Sequence, residues 1–214
     1  MWKKEDFKIN SGVCLGFSES GEEKIKKNKK LSIPSGVKVI GLYAFYGKGI
    51  EELKLPTSLL EIGELSFTHN NIKSLELPKN LEVIGPMAFA ENLITYFKMS
   101  EKLHFIGERA FAGNKIKKIT FNEYITYLRK GTFERNEISE LTIPENVSFL
   151  DDEVFLSNKL KKVTILSNLN LDKYYYNFPF DKNVQFEIKY KEKLNDINAN
   201  NTINEEDFDS IDEE

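Results

Sequence analysis

The chain repeats one pattern of apolar and polar positions every 22 residues. Cut from Leu31, six units align without a gap: LSIPSGVKVIGLYAFYGKGIEE, LKLPTSLLEIGELSFTHNNIKS, LELPKNLEVIGPMAFAENLITY, FKMSEKLHFIGERAFAGNKIKK, ITFNEYITYLRKGTFERNEISE and LTIPENVSFLDDEVFLSNKLKK. A seventh unit starts in register at Val163 and then loses the pattern. Self-similarity at a period of about 20–50 residues is the signature of stacked repeat architectures. We therefore predict a solenoid in which each unit forms one coil.

Every unit opens with a short alternating segment. Its first and third residues are apolar and the residue between them is polar, as in Leu75, Glu76 and Leu77. Such alternation predicts a strand with one buried face. A proline, which cannot donate to a strand ladder, ends this segment in four units. These prolines are Pro34, Pro56, Pro78 and Pro144.

Three further columns have a structural interpretation. Phenylalanine recurs in all six units, and stacked coils would bring the rings into one buried row: Phe45, Phe67, Phe89, Phe111, Phe133 and Phe155. Asparagine recurs in five units, where a buried amide can bond the backbone of adjacent coils: Asn70, Asn92, Asn114, Asn136 and Asn158. Glycine at 41, 63, 85 and 107 is expected to turn the chain, and Arg129 and Asp151 replace it in the last two units.

The consensus LxIPxxLxxIGxxAFxxNxIxx resembles the bacterial BspA-type leucine-rich repeats across residues 31–166. The resemblance implies a mainly β protein with short helical turns, built as a right-handed leucine-rich-repeat solenoid of parallel strands. It also implies a second, shorter strand near the Ile-Gly column and a tight helical turn before the phenylalanine. Proteins of this family occur mainly on bacterial surfaces, so a surface or secreted location is expected.

Both ends of such a stack need a cap, because the terminal coils expose apolar cross-sections. Residues 1–30 are predicted to form an N-terminal cap, with a hairpin turning at Asn10, Ser11 and Gly12 and a helix capped by Ser18 or Ser20. The repeats over 31–166 form the solenoid. Residues 167–193 form a C-terminal cap that closes with a strand over Val184–Tyr190, and aromatic residues between 174 and 180 cover the last coil. Residues 194–214 contain eight acidic and no basic side chains, and form a solvated tail that is a candidate for disorder.

Composition excludes several function classes. The chain is 40% hydrophobic and 30% charged, which is typical of a soluble globular protein, and no run of about 18 apolar residues exists for membrane insertion. With one cysteine and two distant histidines, neither an intrachain disulfide nor a cysteine–histidine metal site is expected. No catalytic motif is present, so we do not predict an enzyme. The five lysines between Lys24 and Lys30 are too small a footprint to predict nucleic-acid binding.

The exposed sheet is the expected binding surface, and a protein is the expected partner. Polar side chains recur there at strand spacing, with mixed charge and a tyrosine near the centre, which suits a protein better than a polyanion. The candidate residues are Lys54, Glu76, Tyr96, Lys98, Lys118, Thr120, Glu140 and Thr142. The family resemblance adds adhesion to a host extracellular or cell-surface protein. The alternative is a rigid spacer without its own ligand, and the oligomeric state stays open.

A second candidate surface lies in the Ile-Gly column. Phe105, Tyr127 and Phe149 each precede the residue expected to point inward, and neighbours on a strand face opposite sides. These side chains therefore form either an exposed apolar ladder, which would be a second contact face, or part of the core where the coil bends.

The tail contains one candidate metal site. Asp196, Asn198, Asn200, Asn204 and Asp207 follow the oxygen-ligand spacing of a calcium loop. This segment resembles the calcium loop of dockerin modules, although Asn201 replaces the usual glycine and no second copy exists. The alternatives are a weak calcium site and an inert linker; no other cofactor is expected.

Overall fold

The computed structural model describes residues 1–169, 171 and 178–189 as a stack of coils, each adding two short strands. An N-terminal unit comprises a 3-10 turn at Lys4–Asp6, strands β1 (Phe7–Asn10) and β2 (Val13–Phe17), and helix α1 (Glu19–Lys27). The first strand column, at the start of each unit, contains β3 (Lys30–Ser32), β5 (Glu52–Lys54), β7 (Leu75–Glu76), β9 (Phe97–Lys98), β12 (Leu141–Ile143), β14 (Lys162–Ile165) and β15 (Gln185–Ile188). The second column, at the Ile-Gly position, contains β4 (Val39–Ile40), β6 (Glu61–Ile62), β8 (Val83–Ile84), β10 (Phe105–Ile106), β11 (Tyr127–Leu128) and β13 (Phe149–Leu150).

The predicted parallel solenoid is confirmed, but its longest sheet lies in the second column. Strands pair there in the order β1-β2-β4-β6-β8-β10, parallel except for the hairpin, and β11 pairs with β13. The first column is divided into β3-β5, β7-β9 and β12-β14-β15, with one parallel bridge between Lys118 and Glu140. Close backbone approach at the glycine column favours pairing in the second column: an added Cβ at Gly63 would lie 2.6 Å from the Ile40 carbonyl oxygen.

The phenylalanine column forms a buried stack, as predicted. Successive rings lie 5.3–5.8 Å apart with their planes within 18° of parallel. At the C-terminal end Phe180 continues the row, 5.3 Å from Phe155. At the N-terminal end Phe17 meets Phe45 edge-on at 4.8 Å. The hydrophobic core therefore runs along the axis of the stack and is closed by an aromatic residue at each end.

The asparagine column bonds neighbouring coils, also as predicted. In the Asn70 amide, Nδ2 donates to the carbonyl oxygens of Phe45 and Phe67, both at 2.9 Å, and Oδ1 accepts from the Ile50 N–H at 2.8 Å. The later asparagines repeat these contacts. In the first coil Lys48 takes the column position and its ammonium reaches Glu22 of α1 at 2.6 Å. The ladder thus ends where the cap begins.

The glycine column opens the turn, as expected: the carbonyl oxygens of Gly41, Gly63, Gly85 and Gly107 each accept from the N–H three residues later at 3.3–3.4 Å. Positive φ is adopted by two later columns and not by these glycines. One column comprises Tyr43, Leu65, Met87, Arg109, Gly131 and Glu153, and the other Gly47, His69, Glu91, Gly113, Arg135 and Ser157. Most of these residues have a Cβ, for which the left-handed conformation is unfavourable. Backbone hydrogen bonds to the next coil offset this cost, such as Tyr43 N–H to the Glu64 oxygen at 3.1 Å.

The N-terminal hairpin and helix have the predicted form. Ser11 and Gly12 adopt φ of 48° and 83° at the hairpin turn, and the Ser18 hydroxyl caps α1 by accepting from the Gly21 N–H. Parallel pairing of β2 with β4 joins the hairpin to the second column. Buried Phe17 and Ile25 face the first coil.

The C-terminal strand cap is confirmed, because β15 pairs in parallel with β14. Phe180 is buried and Phe178 packs against the core, whereas Ile188 at the end of β15 is exposed. The predictions for Tyr174, Tyr175, Tyr176, Tyr190 and the tail over 194–214 lie outside the described residues.

Candidate functional site

Three hollows follow the outward face of the first strand column. The first has a volume of about 770 Å³ and lies between the N-terminal cap and coils one to three. The second, of about 480 Å³, lies over coils three and four. These two share Ser74, Glu76 and Leu77, so they form one continuous depression, called the groove below. The third hollow, of about 310 Å³, lies over coils five and six and is separate.

All eight strand-column residues singled out from the sequence line these hollows, and all eight are exposed. Four of them line the groove: Lys54, Glu76, Tyr96 and Lys98. The other four surround the third hollow: Lys118, Thr120, Glu140 and Thr142. The structure therefore places the predicted residues on one face but divides them into two sites.

The floor of the groove is apolar. Leu55 and Leu77 occupy the third position of their units and are only half-buried, and the buried Met99 lines the same hollow as Tyr96. The Tyr96 side chain is 61% exposed at the rim. Apolar floor, aromatic rim and a few polar groups are the composition typical of a recognition surface.

The N-terminal cap builds one end wall of the groove, which the sequence did not predict. Trp2 stacks on Phe17 at 5.3 Å and donates its Nε1–H to the Lys30 carbonyl oxygen at 2.6 Å. This bond holds the indole beside the first strand column, where it lines the first hollow. A tryptophan so close to the chain start carries no periodic signal, and therefore only tertiary structure reveals its position.

Charges at the flanks of this face are paired. Lys30 binds Glu52 at 2.7 Å, and this hydrogen bond raises the pKa of the Lys30 ammonium. Lys162 and Lys189 lie beside Glu187, and their hydrogen bonds lower the pKa of its carboxyl group. The Lys30–Glu52 pair is neutral, whereas two lysines on Glu187 leave a net charge of +1 at the C-terminal flank.

The centre of the groove differs from its flanks. Lys54, Glu76 and Lys98 occupy the same column in coils two, three and four, and none forms an ion pair with another described residue. Their side chains are exposed, so each charge is available to a partner. The groove therefore presents a row of positive, negative and positive charge.

The second candidate surface is not a bare apolar ladder. Phe105, Tyr127 and Phe149 are the first residues of β10, β11 and β13, and the second residue of each strand is buried. Phe105 and Tyr127 are half-buried, and Phe149 is 41% exposed. The Arg129 guanidinium lies 4.5 Å from the Phe105 ring and 5.0 Å from the Tyr127 ring. Arg129 therefore covers two of the three rings, and a contact role for this surface stays a prediction.

The candidate calcium ligands Asp196, Asn198, Asn200, Asn204 and Asp207 lie outside the described residues. Within the described ranges, no group of three or more histidine, cysteine or acidic residues is placed to hold a metal ion. In the same ranges no helix is both long and apolar enough to cross a membrane.

Solved structures with a related fold include the pneumococcal vaccine antigen PcpA, with a TM-score of 0.51 and 19% identity over 77% of this chain and 57% of that chain. A leucine-rich repeat protein from Bacteroides ovatus has a TM-score of 0.40 and 19% identity over 74% of this chain and 62% of the other. The chain thus spans less than two thirds of either structure. No curated protein matches the sequence. The family model described as "BspA type Leucine rich repeat region" matches residues 23–136 and 87–203, and the chain therefore belongs to the BspA-type leucine-rich repeat family.

Proposed function

We propose that this chain is a non-catalytic, protein-binding module of a bacterial surface or secreted protein, and that it engages its partner along the groove. The carrying observation is the exposed Tyr96 at the rim of an apolar floor, beside the unpaired charges of Glu76 and Lys98. Aromatic anchors at the centre of an interface contribute most of its binding energy. The pneumococcal structure with the same fold is a vaccine antigen, and this likeness supports a surface location.

The proposal extends to adhesion through a host extracellular or cell-surface protein. Mixed charge in the groove suits a folded protein surface better than a polyanion, because the unpaired carboxylates of Glu76 and Glu101 would repel phosphate or sulfate groups. A rigid spacer is the competing function. The continuous ring stack and asparagine ladder would serve it equally well, but a spacer needs no exposed tyrosine over an apolar floor.

Binding of the purified chain to immobilised serum and extracellular-matrix proteins tests the proposal. Tyr96→Ala should weaken any specific binding about tenfold or more, whereas Tyr124→Ala should leave it unchanged. Tyr124 is the matched control because it is a tyrosine of similar exposure, 51% against 61%, and lines none of the three hollows. Specific binding that both variants retain would remove the groove assignment, and the absence of any binding would favour the spacer.

A further inference from the structure

The row of unpaired charges in the groove indicates what kind of partner segment the groove binds. This inference rests on the proposed function. Lys54, Glu76 and Lys98 lie one coil apart. Glu76 and Lys98 are on the paired strands β7 and β9, which are about 4.8 Å apart. Strands β5 and β7 are not paired, but the rings of the same three coils, Phe67, Phe89 and Phe111, are 5.3 and 5.6 Å apart. A partner that meets all three charges must therefore present side chains about 5 Å apart in a line along the stack.

An α-helix laid along the stack has this spacing. One helical turn rises about 5.4 Å, so positions i, i+4 and i+7 of one face are separated by about one coil each. An extended strand presents same-face residues about 6.8 Å apart and loses register within two coils. A polyproline II segment repeats every three residues, about 9.3 Å, so it could reach Lys54 and Lys98 but would leave Glu76 facing no charge.

Charge complementarity then fixes the order of residues. The partner helix needs an acidic residue over Lys54, a basic residue over Glu76 and an acidic residue over Lys98. Leaving one of these charges covered and unpaired would cost desolvation free energy, so a partner with all three is favoured. Beside this row Leu77, Met99 and Tyr96 offer an apolar site for one aliphatic side chain on the same helix face.

We infer that the groove binds an amphipathic helix of a protein partner that carries an acidic–basic–acidic triplet at i, i+4 and i+7, with an aliphatic residue at i+3. This is the helix-in-groove mode of recognition. The charges on either side are paired, Lys30 with Glu52 and Lys118 with Glu140. A second column of exposed charges has the order positive, negative, negative: Lys79, Glu101 and Glu123. That order opposes the acidic residue at i+7, so the helix has one favoured register on the stack.

Three designed peptides test this inference by fluorescence anisotropy. The first is an alanine-rich helix with Glu, Lys and Glu at i, i+4 and i+7 and Leu at i+3. The second reverses the three charges, and the third is a proline-rich peptide with Glu at i and i+3. The first peptide should bind at least tenfold more tightly than either of the others, and the difference should shrink at high salt.

A variant protein in which the three groove charges are reversed is the decisive control. Lys54→Glu, Glu76→Lys and Lys98→Glu together should reverse the preference between the first two peptides, since all three side chains are exposed and the fold should persist. Circular dichroism checks that it does. Equal binding of the two helices, or tighter binding of the proline-rich peptide, would overturn the inference. Tyr96→Ala in the host-protein assay tests the proposed function separately. The proposed function and the helix inference can therefore be contradicted independently.

Discussion

At the scale of single residues, buried polar side chains determine how the coils are spaced. Asn114 is buried and satisfies three backbone groups in two coils: Nδ2 donates to Phe89 and Phe111 at 2.9 and 3.1 Å, and Oδ1 accepts from Ile94 at 3.0 Å. The sequence predicted this role because the residue recurs at one position of the unit. It could not predict Asn122, which departs from the proline column yet donates to the Ser100 and Leu103 carbonyls at 2.8 Å.

Asn114→Ala should destabilise the protein by roughly 1–3 kcal/mol, because it leaves the buried Ile94 N–H without its acceptor. The Phe89 and Phe111 carbonyls keep hydrogen bonds from Asn92 and Asn136. Asn71→Ala is the matched control. Asn71 is exposed, so its free energy of unfolding should change by no more than about 0.5 kcal/mol. Urea unfolding measures both, and similar losses in the two variants would contradict a special role for the buried column.

Asp6 is the second polar residue whose surroundings determine a measurable property. Burial alone raises the pKa of this carboxyl, but hydrogen bonds from Lys24, from the Lys3 N–H at 2.7 Å and from Ser20 at 3.1 Å outweigh it and place the pKa below its ordinary value. A carboxyl with a lowered folded pKa stabilises the folded state above its unfolded pKa, near 3.9, and loses this effect as pH falls through the folded value.

Asp6→Asn should therefore be less stable than the parent protein at pH 7, and the difference should narrow as pH falls below about 4. Parallel urea titrations at pH 7, 4 and 3 would measure it. Glu5→Gln is the control, because Glu5 is exposed and pairs only loosely with Lys3, at 3.4 Å. If the difference in free energy of unfolding between Asp6→Asn and the parent protein stays constant across this pH range, the Asp6 charge does not contribute to stability.

At the scale of elements, the positions of the strands could be predicted from the sequence, but only part of the pairing between them could. Alternating segments, the Ile-Gly strand and the two caps follow from the repeat. The missing pairing between β10 and β11 does not follow from the repeat, because it depends on the space available to the Arg129 side chain at the glycine position. Gly107 N–H bonds the Ile84 oxygen at 2.8 Å, and an added Cβ there would lie 2.3 Å from Pro86 N. Arg129 occupies the equivalent position with a side chain.

The groove shows the same limit of sequence reasoning. Its polar residues were predictable because strand alternation exposes them. Its apolar floor was not, since Leu55 and Leu77 have the sequence pattern of buried residues and yet remain half-exposed in the structure. The end wall made by Trp2 depends on how the cap folds back onto Lys30. The repeat period thus predicts which face of the solenoid is exposed, whereas the shape of the groove on that face depends on tertiary packing.

Hydrogen exchange tests the interruption at β10 and β11. Within the described residues the Arg129 N–H has no backbone acceptor in the preceding coil, whereas the Gly107 and Asp151 N–H groups each have one at 2.8 Å. The Arg129 amide should therefore exchange about tenfold faster than either, because exchange follows local opening. Arg129→Gly should increase protection at this position. Equal protection of all three amides in the parent protein would mean that the ladder is continuous.

At the scale of the whole molecule, each coil contacts mainly its neighbours. Two ion pairs of the solenoid reach across one intervening coil, Arg109 with Glu153 and Arg135 with Glu91. Stability is then close to a sum over coils and their interfaces. The ring spacing is nearly constant from Phe45 to Phe180, so neighbouring coils are nearly interchangeable at the core. An internal coil should thus be removable if the register of the remaining coils is kept.

Deleting residues 75–96 removes one full unit and joins Ser74 to Phe97. Phe67 would then stack on Phe111, and the Asn114 amide would donate to the Phe67 oxygen in place of the Phe89 oxygen. We expect a folded protein with one cooperative thermal transition, less stable by about 1–3 kcal/mol at roughly 0.05–0.15 kcal/mol per residue. Deleting 75–85 is the control, because half a coil places polar residues in the ring column and should abolish the transition. If the full-unit deletion also fails to fold, specific contacts of the third coil, and not the repeat register, hold the stack together.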